Sequence, residues 1–338
     1  MKPATVVTGA TGFVGRWIVA VLLHSGRTVV GTYRPGESDE ELLRALNGIV
    51  SHADLSRLRL LPADLHSDTG WSEVMGGATA LIHTAAAVPL REPKDRETFI
   101  AQELAGVERV LRAAHAGGIV RVVMTSSMAA VVENARPGDG AVRFGPDDWT
   151  NPNARKLPAY TVAKTRAERL AWALVEELEL AVTTICPGMV FGPLLGAEVG
   201  ASMGFLDAIV HGSIPKVPPT GFEIVDVRDV AEAHVAAISR ADLVGRRILL
   251  AAGYRSMRQI AEAVQRAWPD RKVPTEEMPR WLVHVFARFI PGMRTVERNL
   301  RVERRMDGSF GEEVLAGGYR SADDAVVDGA RSILERDD

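Results

Sequence analysis

Between residue 4 and about residue 186, short runs of β-branched and aliphatic residues alternate with longer stretches in which apolar residues recur at helical spacing. The runs at 4–8, 28–33, 58–61, 80–84, 120–126 and 181–186 are apolar at successive positions, not at alternate ones. A strand with one wet face alternates; a strand covered on both faces does not, so these runs predict a parallel sheet buried between helices. The stretches at 12–25, 38–46, 97–116 and 158–179 supply the helices. Strand and helix in regular succession predict an α/β fold with a doubly wound parallel sheet.

Beyond residue 187 the rhythm breaks. Pro187, Pro193, Pro215, Pro218 and Pro219 cut the chain into shorter elements. A strand near 224–227 leads into a helix at 229–239, a strand near 247–251 precedes a helix at 257–267, and a last helix spans about 322–335. The expected organisation is a first domain over 1–186 and a smaller C-terminal subdomain over 187–338. That subdomain would cover a substrate at the sheet's carboxyl edge, with 222–240 returning to the first domain's core.

Composition narrows the classes. The chain has 338 residues, a formal net charge of −3, 46% hydrophobic and 25% charged residues. These are the values of an ordinary globular protein, and they exclude collagen-like, disordered and disulfide-framework chains. Balanced charge gives no reason to expect a nucleic-acid or membrane partner. Cys186 is the only cysteine, so no intrachain disulfide forms and a reducing, cytoplasmic setting is expected. No apolar run approaches the roughly 20 residues that cross a bilayer, and the start Met1-Lys2-Pro3 runs straight into the first strand, unlike a secretion signal. The histidines show no ligand spacing with Cys186 or with paired carboxylates, so no metal is expected.

The first chemical signal is Gly9-Ala10-Thr11-Gly12-Phe13-Val14-Gly15, which follows the first strand and opens a helix. Gly9 permits the tight turn, Gly12 lets backbone approach a pyrophosphate, and Gly15 allows helix to pack on strand. The helix N-terminus then offers N–H groups to the phosphates, as in a Rossmann dinucleotide site. The second strand ends at Tyr33-Arg34, where an NAD-selective site carries an acid; Arg34 can instead pair with a 2′-phosphate, so NADP(H) is the expected cofactor. Arg16 is a second candidate for that phosphate, or else a solvated surface charge. Asp64 and Leu65 follow the third strand, where a carboxylate can accept the adenine amino group. Thr84, Ala85 and Ala86 end the fourth, where small residues admit the adenosine half.

The second signal is Tyr160-Thr161-Val162-Ala163-Lys164, a phenol and an ammonium four residues apart and so on one helix face. A phenol titrates near 10, and a neighbouring ammonium draws it toward neutral pH as a proton donor. Thr125-Ser126-Ser127 closes the fifth strand at the carboxyl edge, where doubly wound folds hold their ligands.

With these segments, PGMVFGP at 187–193 and VDVRDV at 225–230, the chain resembles the extended short-chain dehydrogenases/reductases, in particular their dihydroflavonol-reductase-like and aldehyde-reductase-like branch. The resemblance covers residues 4 to about 235. It implies Tyr160 as the acid that protonates the substrate oxygen as hydride arrives, and Lys164 as the group that holds the nicotinamide ribose and tunes Tyr160. It implies Ser127 as a donor to the carbonyl oxygen, Thr125 and Ser126 as cofactor neighbours, and Pro187 and Val190 at the carboxamide. One departure stands out: Glu103 replaces the Asn that many members place three residues before the equivalent of Gly106, in a water-mediated proton relay.

Within the resemblance, Met128-Ala129-Ala130 lacks the acidic pair of the sugar-nucleotide dehydratases. Met189 stands where epimerases place an Asn for the nucleotide diphosphate, and it offers no amide donor. The expected activity is NADPH-dependent reduction of a small or aromatic aldehyde or ketone, in a pocket lined by Val88, Met128, Met189 and Phe205. A cofactor-using epimerase or isomerase, and a non-catalytic NADP-binding sensor or assembly factor, are the alternatives; the chain would act as a monomer or homodimer. The arginine-rich stretch 288–305 reads as a mixed, solvated helical face, and 281–286 as an amphipathic segment packed on its own domain. Asp226 and Asp229 are expected to cap a helix start.

Overall fold

The computed structural model describes residues 4–38, 40–89, 91–136, 138–196, 200–289 and 291–337. Its centre is a seven-stranded, wholly parallel sheet built from β1 (Ala4–Thr8), β2 (Thr28–Tyr33), β3 (Leu58–Pro62), β4 (Ala78–His83) and β5 (Arg121–Thr125). A short strand, β6 (Gly140–Phe144), lies elsewhere, and the sheet is completed by β7 (Ala181–Pro187). Three strands follow in chain order: β8 (Met189–Phe191), β9 (Gly221–Asp226) and β10 (Arg247–Leu250), of which β10 joins the main sheet beside β7. Two short ones complete the set, β11 (Gly253–Ser256) and β12 (Val302–Met306).

The sheet order is β10-β7-β5-β4-β1-β2-β3. The chain therefore winds outward in both directions from β1, and the carboxyl ends of β1 and β4 flank the switch point where such sheets bind ligands. The continuous apolar runs are explained by burial on both sides. Helices Phe13–His24 and Val227–Ser239 cover one face around Val7, Val29 and Ile82, and Arg96–Ala116 with Ala159–Glu177 cover the other around Val6, Leu81 and Val122.

The expected return of 222–240 to this core is divided. Helix Val227–Ser239 lies on the main sheet, whereas β9 pairs in parallel with β8 and antiparallel with β11 in a separate three-stranded sheet. That small sheet, with helices Ala201–Val210, Met257–Ala267 and Ala322–Asp337, encloses a third core around Phe191, Met203 and Ile260. A parallel pair, β6 with β12, packs on Val131, Val132 and Ala135 just beyond β5.

One expectation for the C-terminal part is corrected. The stretch 288–305 is not one solvated helical face: helix Pro291–Arg298 ends, and β12 follows, with Val302, Arg304 and Met306 turned inward and Arg304 buried. The alternation in Val302–Met306 is a strand's period, which the arginine spacing masked. Helix Arg280–Phe286 is amphipathic as expected, with Val283 buried and Leu282 and Phe286 half-buried on one face, while Trp281 on the other stands 67% exposed. Among the described residues, no helix is long and apolar enough to cross a membrane.

Candidate active site

The carboxyl ends of β1, β2, β4, β5 and β7 open into a cavity of about 1170 Å³. Of the site residues named from the sequence, all but Arg16 line it: Gly9, Thr11, Gly12, Phe13, Val14, Gly15, Arg34, Asp64, Leu65, Thr84, Ala85, Ala86, Thr125, Ser126, Ser127, Tyr160, Lys164, Pro187, Val190, Val88, Met128, Met189 and Phe205.

At the nucleotide end, Gly9 sits at φ +68°, and a Cβ there would meet Ala85 Cα at 2.9 Å. A Cβ on Gly15 would overlap the Gly9 carbonyl oxygen, so turn and helix touch backbone to backbone. Gly12 caps helix Phe13–His24 without any side-chain hydrogen bond, which leaves the helix start open to an anion. Thr8 Oγ1 accepts from the Thr84 and Ala85 amides at 3.2 Å each and lies 2.8 Å from His83 Nδ1. With both acceptor positions used, the Thr8 hydroxyl donates to Nδ1, so His83 carries its proton on Nε2. Burial, then Lys164, pulls the His83 pKa down to about 3, and the ring is neutral.

Arg34 stands at the open end, 66% exposed, 3.5 Å from Glu37. Neither sequence reading of Arg16 survives. It is buried, donates to the Thr11 carbonyl at 2.5 Å and to the Leu195 carbonyl, and pairs with Glu41 at 2.9 Å. Its guanidinium ties the glycine turn to the segment after β8. Glu103 is buried and accepts from the Ala87 amide at 2.9 Å, so it anchors the loop after β4.

In the middle of the cavity, helix Ala159–Glu177 places Tyr160 one turn before Lys164. The Glu92 carboxylate fixes that helix start, accepting from the Ala159 amide at 2.9 Å. Lys164 is 6% exposed and lies 3.4 Å from the Thr125 carbonyl oxygen. The Thr125 hydroxyl turns the other way, 2.7 Å from Nε2 of His234, whose Nδ1 donates to the Val230 carbonyl; burial holds His234 neutral, its pKa lowered to about 4.

The two serines divide. Ser126 donates its hydroxyl to Glu168 at 2.7 Å, so it lines the cavity with its hydroxyl proton already used. Ser127 accepts from the Ala129 amide at 3.2 Å, and among the described residues its proton and the Tyr160 hydroxyl have no protein partner. Both face the cavity with donors to spare.

Behind Ser126 lies a network that sequence reasoning missed. Glu168 is wholly buried and takes a two-pronged contact from Arg247, 2.8 Å and 3.0 Å, plus the Thr184 hydroxyl at 2.8 Å. Arg247 stacks 3.7 Å over Trp149 and donates to the carbonyls of Ala130, Pro146 and Asp148. Burial, then Glu168, pushes the Cys186 thiol pKa far up, so the lone cysteine stays protonated.

At the far end, Phe205 and Phe222 meet edge to face, 6.4 Å between centroids, next to Met189. Val88 stands 51% exposed at the rim. Glu133, Arg298, Asn299 and Arg304 also line the cavity, all unnamed by the sequence as site residues. Asp226 accepts from the Arg228 amide as a cap, but Asp229 instead holds Arg320.

The glycine turn, the open helix start, the small Thr84–Ala86 segment and the solvated Arg34 fit a dinucleotide with a 2′-phosphate, by shape and by charge. Over residues 5–251 the chain matches the NAD dependent epimerase/dehydratase family. It is 34% identical over 250 residues to cinnamoyl-CoA reductase CAD2 of Medicago truncatula, spanning 72% of this chain and 74% of that protein. An anthocyanidin reductase of Vitis vinifera is 28% identical over 289 residues, 81% of this chain and 84% of that one. Among solved structures, yeast methylglyoxal/isovaleraldehyde reductase Gre2, complexed with NADPH, has the same fold: TM-score 0.80 at 23% identity, with 99% of each chain covered.

Proposed function

From its place in the NAD dependent epimerase/dehydratase family, to which the chain belongs as an extended short-chain dehydrogenase/reductase, we propose that it reduces the carbonyl group of an aldehyde or ketone with NADPH. The observation that carries this reading is the convergence of Ser127, Tyr160 and Lys164 on the cavity that the glycine turn opens. The cofactor, when bound, supplies a hydride to the carbonyl carbon and leaves as NADP⁺.

The protein's own part is to hold the carbonyl oxygen and to provide the proton. Ser127, with its hydroxyl proton unused, donates a hydrogen bond to that oxygen and stabilises the charge that grows there. Tyr160 transfers its phenolic proton to the same oxygen, which completes the alcohol. Lys164 stabilises the resulting phenolate and, from its buried position, holds the nicotinamide ribose. Neutral His83 and His234 add no competing positive charge beside it. Arg34 supports NADPH over NADH, since a guanidinium pairs with a phosphate in a fork of two hydrogen bonds. The relatives' printed activities, reduction of cinnamoyl-CoA and of anthocyanidin, support an aromatic substrate, as do Phe205 and Phe222.

The test is cofactor oxidation by the purified protein against a panel of aliphatic and aromatic aldehydes and ketones, with NADPH and NADH in parallel. Turnover of at least one carbonyl, faster with NADPH, is expected. Absence of turnover across the panel despite saturable NADPH binding overturns the proposal.

A further inference from the structure

Two largely buried arginines and one largely buried glutamate line the cavity. Glu133 lies 3.0 Å from Arg298 and 3.8 Å from Arg304, with all three side chains at least four-fifths buried. Two guanidinium groups thus share one carboxylate. Arg304 spends two donors on Asn299 and the Ala135 carbonyl, at 2.7 Å and 3.1 Å. That leaves Arg304 Nε, both Nε and Nη1 of Arg298, and one acceptor, Glu133 Oε2, with no hydrogen-bond partner among the described residues, so donors outnumber acceptors.

A buried donor without a partner is costly, and a charged one more so. The cost is already visible at Arg304, whose pKa burial pushes down in spite of Glu133. Glu133, Arg298 and Arg304 line the same cavity as Ser127 and Tyr160, with the Asp139 carboxylate also acting on Arg304.

We propose that the substrate is an oxo acid, whose carboxylate binds Arg298 and Arg304 while its carbonyl lies at Ser127 and Tyr160. This rests on the reductase reading above and narrows its substrate class. A carboxylate matches the site in both charge and shape. Its negative charge suits the unpartnered guanidinium donors, and its two oxygens suit a guanidinium fork. Glu133 keeps the two guanidiniums from repelling each other before substrate arrives. The apolar wall of Met128, Met189 and Phe205 takes the carbon skeleton between the two polar ends.

The experiment pairs each of a series of aromatic and aliphatic oxo acids with its methyl ester, and reads the ratio of kcat/KM for acid over ester. Wild type is expected to favour the best acid by about 10- to 100-fold, the range of a charge-assisted hydrogen bond. Arg298→Gln should bring that ratio close to one, and Arg298→Lys should restore part of it by keeping the charge. Calorimetric titration of wild type with the corresponding hydroxy acid gives a readout independent of turnover, and its affinity should fall in Arg298→Gln. A wild-type ratio near one, or a ratio that Arg298→Gln leaves intact, overturns the inference while the reductase reading stands. Arg298-dependent binding of the hydroxy acid without turnover of any carbonyl supports the subsite and overturns the reductase reading instead.

Discussion

At the nucleotide end of the cavity, Gly9 and Gly15 bring backbone against backbone, and the receiving groups are mainly main-chain amides at a helix start. At the proposed substrate end, the walls are side chains, and the polar ones join Glu133 to Arg298 and Arg304, far along the chain. The first construction is set by a few neighbouring residues, and a change at Gly15 has nowhere to go. The second depends on how β12 docks beside β6, so its chemistry changes by side-chain substitution without touching the sheet.

Between the two ends, the Glu168–Arg247 pair holds the segment that bears Ser126 and Ser127. Glu168→Gln leaves the Arg247 charge buried without its partner and should destabilise the protein by about 3–5 kcal/mol. Denaturant unfolding at neutral pH measures this. If the pair serves the substrate end, the surviving folded protein should show a raised KM for carbonyl and little change in NADPH affinity. Equal weakening of both would erase the distinction between the ends.

Acid should weaken the nucleotide end next. His83 and His234 bind protons in the unfolded chain near pH 6.5, but in the folded protein only at about 3 and about 4. Their contribution is complete above pH 6.5 and is lost as pH falls from there toward 4, because the unfolded state takes up protons that the folded state refuses. The loss should reach a few kcal/mol, since each tenfold difference in proton affinity between the two states is worth about 1.4 kcal/mol. Thermal melts from pH 7 to pH 4 should show it. His83→Asn, which keeps an acceptor for Thr8, should flatten the slope.

Arg34→Ser should give the smallest effect, a loss of NADPH affinity of about 10-fold, which is close to 1.4 kcal/mol, with NADH affinity unchanged. Fluorescence titration of both cofactors reads it. Equal loss for both would show that Arg34 acts on the turn and not on the 2′-phosphate.

The nucleotide end was legible in the sequence because it is local. The turn 9–15 follows the first strand, and Tyr160 and Lys164 share a helix face, so short-range spacing reports three-dimensional position. The main sheet was legible for a related reason: burial on both faces leaves uninterrupted apolar runs such as Val122–Val123 in β5. The substrate end was not. The pairing of β6 with β12 joins residues 140–144 to 302–306, and each strand is short, with only alternate residues inward in β12. Arg16, Arg247 and Arg304 look like surface charges in a sequence, because the carboxylate or carbonyls that bury them lie on other elements. Ser126 and Ser127 were distinguishable only when Glu168, 42 residues further along the chain, was seen to occupy one of them.

The central claim is that Tyr160 delivers a proton at the junction of the two ends. Single-turnover reduction by Tyr160→Phe, with NADPH bound beforehand, tests it most directly. The account predicts cofactor binding as in wild type and a hydride-transfer rate about 100- to 10,000-fold lower; an undiminished rate would contradict it.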